Sequence, residues 1–83
     1  MTNKEQEVYR TLVKTVKGEN IDNTYFKAIL MASKSVILGN DNISNASGLA
    51  AHLFHGSDGL HLDNKYIKKY VSKVVKKSKE LRK

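Results

Sequence analysis

Lysine is the residue type whose number and spacing in this chain could do chemistry, and it is concentrated at the C-terminal end. Between Asn64 and Lys83 stand nine basic residues (Lys65, Lys68, Lys69, Lys73, Lys76, Lys77, Lys79, Arg82, Lys83) against one acid, Glu80, a balance of +8. Residues 1–63 hold six basic and seven acidic residues, a balance of −1, so the last segment carries the whole net charge of +7. Its apolar residues are Ile67, Tyr70, Val71, Val74, Val75 and Leu81. Their i, i+3, i+4, i+7, i+8, i+14 spacing marks one face of a helix. One face is therefore expected to dock on the rest of the protein while the other presents a row of ammonium groups. Such a row suits a polyanion, and nucleic acid is the commonest.

Helical geometry names the outward residues. At about 100° per residue, with Ile67 and Val71 inward, the outward line is Lys65, Lys69, Ser72 and Lys76, flanked by Lys68, Lys73 and Lys79. Early residues of a DNA-reading helix reach base edges, which makes Asn64, Lys65, Lys68 and Lys69 the candidates for base contact. Asparagine can read adenine and lysine can read guanine. Lys73, Lys76 and Lys77 lie farther along and would meet phosphates. The bland alternative is a solvated lysine face that keeps a small protein soluble. Such faces usually mix both signs, which this one does not.

Other chemistry finds less support. His52 and His55 stand i, i+3, with His61, Asp58 and Asp63 nearby, but zinc needs three or four ligands converging tetrahedrally. His55 falls at a helix end and Asp63 is better explained as a cap, so no metal site is expected. There is no cysteine, no serine in a nucleophile-elbow context and no glycine-rich phosphate loop. No catalytic residue and no cofactor is therefore expected, and the chain does not read as an enzyme.

The elements that must hold the basic face read as four helices in a single domain spanning residues 1–83. Glycine, asparagine and aspartate punctuate the chain, which has no proline. A first helix is predicted from about Lys4 to Lys17, with Val8, Leu12, Val13 and Val16 on one face, closed by Gly18 and Asn20. Asp22 is the predicted N-cap of the second, with Ile21 stapled onto Phe26. The wide apolar surface of Phe26, Ile29, Leu30, Val36 and Ile37 makes it the expected central, most buried helix, ended by Gly39-Asn40. A short third helix, about Asn45 to Phe54 with Ser44 or Asn45 as cap, presents Leu49, Ala50, Leu53 and Phe54. A turn over Gly56–Leu62 follows, with Gly59 free for a positive φ. Asp63 caps the basic helix and Leu62 staples onto Ile67. Residues 77–83 are expected to fray or project. No segment alternates like a strand, although His61-Leu62 could add a short extended piece. The fold class is all-α.

At 83 residues a domain buries only ~60% of its unfolded surface. With no disulfide to staple it, self-association is favoured. The absence of cysteine suits a cytoplasmic protein. No signal peptide is visible, and no run approaches the ~20 apolar residues of a membrane span. Lysine outnumbers arginine 13 to 2, a usage that AT-rich coding DNA tends to give in low-GC bacteria, their phages and plasmids.

A short helix with a Leu-Ala-Ala-His-Leu core (Leu49–Leu53), a turn, and a capped basic helix resembles the helix-turn-helix superfamily over about Ser44 to Lys77. In that superfamily a small residue, here Ala50 or Ala51, lets the two helices cross closely, and the second helix enters the major groove. The turn here is seven or more residues long. Longer turns occur in phage and plasmid winged-helix proteins, including small partition adaptors that hold centromere DNA, although a strand-built wing is not visible. The resemblance implies a double-stranded DNA-binding regulator or partition adaptor whose reader is the helix 63–77. A homodimer is expected, its surface supplied by Tyr9, Leu12, Val13 and Val16 or by the exposed part of the second helix. Two rivals stay open: a phage-type interaction protein docking its basic face on an acidic host protein, and a helix lying on an anionic membrane surface. The second is disfavoured because the domain needs the apolar face as core.

Overall fold

The computed structural model describes residues 3–54 and 62–81, which form four helices: α1 (Asn3–Thr15), α2 (Asn23–Gly39), α3 (Ile43–Phe54) and α4 (Asn64–Leu81). No strand occurs among the described residues, so the domain is all-α. The turn expected over Gly56–Leu62 lies, up to His61, outside the described residues, as do His55, Arg82 and Lys83.

Short polar side chains start and stop these helices. The Asp22 carboxylate accepts the Thr24 N–H at 2.8 Å, satisfying a donor that the first turn of α2 cannot pair internally. At the other end Asn40 adopts φ 58°, and the Asp41 N–H donates to the Ser35 carbonyl at 3.2 Å. Asparagine tolerates this left-handed conformation better than other non-glycine residues. After α1, Gly18 takes φ +85°. The helix itself ends at Thr15 and continues only as a turn, two residues short of the expected Lys17.

α3 departs from its expected start. Its cap is Asn42, whose side-chain oxygen accepts the Asn45 N–H at 2.7 Å, so the helix begins at Ile43 instead of Asn45. Its expected apolar face is also corrected. Leu49 and Leu53 are 53% and 56% exposed, whereas Ala46, Ser47 and Ala50 are buried and Ile43, Ala51 and Phe54 pack half-buried against the core. The buried residues of α2, which packs on α3, are Ala28, Ile29, Ala32 and Ser33. Small residues at most of these buried positions suit close helix packing, and the leucines lie outside the buried face.

α2 and α4 each pack against the other three helices, whereas α1 and α3 each pack on that pair. The expectation that α2 alone is the most buried helix is therefore only partly met. α4 encloses Ile67, Tyr70, Val71, Val74, Val75 and Ser78, against Ala28, Ile29, Ala32 and Ser33 for α2. Nor does α4 fray from residue 77, because it stays helical to Leu81 with Ser78 buried. On α1, Val8, Thr11 and Leu12 face the core, joined by Val16 in the turn that follows, and Val13 stays 42% exposed, so the buried stripe is narrower than the apolar stripe in the sequence. Leu12 and Val16 are thus used up inside the domain, leaving only Tyr9 and Val13 of the proposed α1 dimer surface accessible. No helix among the described residues is long and apolar enough to cross a membrane.

Candidate nucleic-acid interface

Three contacts fix where α4 begins and how it is rotated. The Asp63 carboxylate accepts the Lys65 N–H at 3.0 Å, capping the helix. The Asp63 backbone N–H in turn donates to the Tyr25 hydroxyl at 2.7 Å, tying the start of α4 to the start of α2. Leu62 and Ile67 are both buried in the core on either side of that cap. Farther along, Tyr66 packs edge-on against Tyr25, with ring centroids 4.7 Å apart, and tilted against Tyr70 at 5.0 Å. Tyr70 is buried, and its hydroxyl donates to a Glu19 carboxylate oxygen in the connection after α1. That bond, reinforced by burial and by Tyr66, raises the Tyr70 phenol pKa above its usual value and keeps it protonated as a donor.

With Ile67, Tyr70, Val71, Val74 and Val75 inward, the opposite face of α4 is free. Asn64, Lys65, Lys68, Lys69, Lys73, Lys76 and Lys79 are exposed, and Ser72 and Lys77 are half-buried. Six of the eight residues expected to contact nucleic acid are thus exposed on a single helix, and the other two, Ser72 and Lys77, are half-buried. None of the seven α4 lysines has a carboxylate within ion-pair distance among the described residues, whereas Lys34 and Glu5 pair at 3.5 Å. Two lysines are steered by an aromatic ring instead of an acid. The Lys73 and Lys69 ammonium groups lie 5.1 and 5.8 Å from the centroid of Tyr70, a cation–π arrangement that positions the charge without cancelling it.

α3 lies beside the N-terminal end of α4. A Cβ added at Gly48 would come within 3.8 Å of the Asn64 side-chain nitrogen, an ordinary contact distance. Ala50 is fully buried and Ala51 half-buried. Of the histidines considered for metal binding, His52 is exposed, whereas His55, His61 and Asp58 lie outside the described residues. Asp63 is occupied as a cap.

One cation that sequence reasoning missed is Lys14. It stands on the last turn of α1, and packing of α1 on α4 brings it to one cleft with Lys73, Lys76 and Lys77, lined also by Thr15 and Glu80. A residue nearly sixty positions away leaves no trace in the periodicity of α4. Tyr25 and Glu19 were missed for the same reason. Compared with known proteins, the chain matches no family model, no curated protein and no solved structure.

Proposed function

We propose that this chain is a double-stranded DNA-binding protein that uses α3 and α4 as a helix-turn-helix-type pair, acting as a regulator or a partition adaptor. The observation that carries the reading is the row of seven lysines, unpaired among the described residues, on the exposed face of a helix whose opposite face is core. A face meant only for solubility intersperses acids. Leaving cations unpaired suits phosphate neutralisation, in which each contact releases a counterion.

Within that reading, Asn64, Lys65, Lys68 and Lys69 contact base edges, and Ser72, Lys73, Lys76 and Lys77 contact the backbone. The first set spans about 7.5 Å of helix and fits a major groove about 12 Å wide. α3 and α4 pack directly on one another, which supports a pairing of the kind such domains use. One short reading helix gives few contacts, so the proposed binding unit is a homodimer on a two-fold site. No catalytic step or cofactor enters the proposal.

The test separates reading from anchoring. Lys76→Ala and Lys77→Ala should weaken binding to a selected site and to unrelated duplex about equally. Asn64→Ala, Lys65→Ala or Lys69→Ala should each cost ~1–3 kcal/mol more on the selected site, where a base edge goes unread. Fluorescence anisotropy on both duplexes reads the difference. Five variants that behave alike on every sequence would reduce α4 to an anchor.

A further inference from the structure

We propose that the cleft between the end of α1 and the C-terminal half of α4 is a phosphate-binding subsite for the DNA backbone, with Lys14 as a contact from outside the reading helix. The inference rests on the duplex-binding reading above and extends it to a second element.

The cleft, about 290 Å³, is lined by Lys14, Thr15, Lys73, Lys76, Lys77 and Glu80, four cations against one anion. None of the four lysines forms an ion pair among the described residues. Folding therefore gathers like charges from two helices and leaves them unneutralised, an arrangement that an anion relieves. Lys73 is held at one side by the Tyr70 ring, and that ring is anchored through its hydroxyl to Glu19.

The donors available decide which anion group fits. The Thr15 hydroxyl hydrogen is committed to the Thr11 carbonyl at 2.7 Å, so the cleft offers ammonium groups and no directional neutral donor. Ammonium groups neutralise phosphates without reading sequence. Position agrees with this chemistry. α4 has 18 residues and is therefore about 27 Å long, more than twice the width of the major groove. With Asn64 to Lys69 in the groove, Lys76 and Lys77 lie about 10 Å farther along the axis, where the backbone runs. A lysine at the end of α1 also complements the helix dipole, which accounts for Lys14 alone and not for the three lysines facing it.

The experiment is duplex binding by anisotropy between 50 and 200 mM salt, with circular dichroism verifying each fold. Wild type is compared with Lys14→Gln, Lys14→Arg, Glu80→Gln, Lys27→Gln on exposed α2 as an equal change of charge elsewhere, and Lys69→Gln. Lys14→Gln, which removes one contact from each protomer of the dimer, should weaken all duplexes alike and make the log–log salt slope shallower by about 1.8. Its deficit relative to wild type should then be about 12-fold larger at 50 mM than at 200 mM salt. Lys14→Arg should restore the slope, and Glu80→Gln should tighten binding. If Lys14→Gln merely tracks Lys27→Gln while Lys69→Gln weakens binding, the subsite is overturned and the duplex reading stands. If wild type binds no duplex at 50 mM salt, both fall.

Discussion

Placing a charge at position 71 and reversing one at position 69 should have opposite consequences, although the two residues are neighbours on α4. Val71 is fully enclosed and belongs to the core shared by all four helices, whereas Lys69 is exposed. Val71→Lys removes a buried side chain contributing about 1.5–3 kcal/mol. It also forces an ammonium group into a site with no acid partner, a penalty of several kcal/mol even after relaxation. The loss of at least ~4 kcal/mol compares with a total stability of about 4–12 kcal/mol for a chain of this length. Val71→Lys should therefore unfold or nearly unfold the domain. Lys69→Glu breaks no ion pair among the described residues, gives up the cation–π contact with Tyr70, and should change stability by no more than about 1 kcal/mol. It would nevertheless set a negative charge against phosphate and abolish binding. Circular dichroism melts of both variants, with an anisotropy titration of Lys69→Glu, make the comparison. A Val71→Lys protein that keeps its melting temperature would refute this orientation of α4, and the assignment of its exposed residues with it.

Two further expectations follow from the interior. The hydroxyls of Ser33 and Ser47 are buried without a hydrogen-bond partner among the described residues, a state that costs ~1–3 kcal/mol each. Ser47→Ala should thus raise stability by about 1 kcal/mol, seen as a higher urea midpoint at unchanged slope; a lower midpoint would mean that the hydroxyl has a partner. Tyr70 has a folded-state pKa above the ordinary 10.0, caused first by its hydrogen bond to Glu19 and then by burial. A raised folded value means that its contribution is complete below pH 10 and is lost as pH rises from there toward the folded pKa. Tyr70→Phe should lower stability at pH 7 and flatten the alkaline loss, and equal pH dependence in the two proteins would contradict the linkage.

The features legible in the sequence were those written in adjacent residues. Asp22 and Asp63 announce their helices because a cap needs only its own side chain and the next few amides, and Gly39-Asn40 announces the end of α2 in the same way. The segment 40–45, by contrast, reads Asn-Asp-Asn-Ile-Ser-Asn and offers several competent caps. Only the geometry selects Asn42. Apolar periodicity identified the inward face of α4 because a strongly basic face opposes it. It failed on α3, where Leu49 and Leu53 looked inward but Ala46, Ser47 and Ala50 are the buried residues. Tyr70, read from the sequence as part of the apolar face, is held by Glu19 across 51 positions of chain. Tyr25 and Lys14 likewise acquire their roles only from tertiary contacts.

The central claim is that the unpaired lysines of α4 meet DNA phosphates, and the salt dependence of duplex binding by the wild-type protein tests it most directly. If a dimer neutralises roughly 6–10 phosphates, affinity for duplex should fall about 10³–10⁵-fold between 50 and 200 mM salt, along a straight log–log line. Measurable duplex affinity with a slope near zero, or no affinity at 50 mM salt, would contradict the claim.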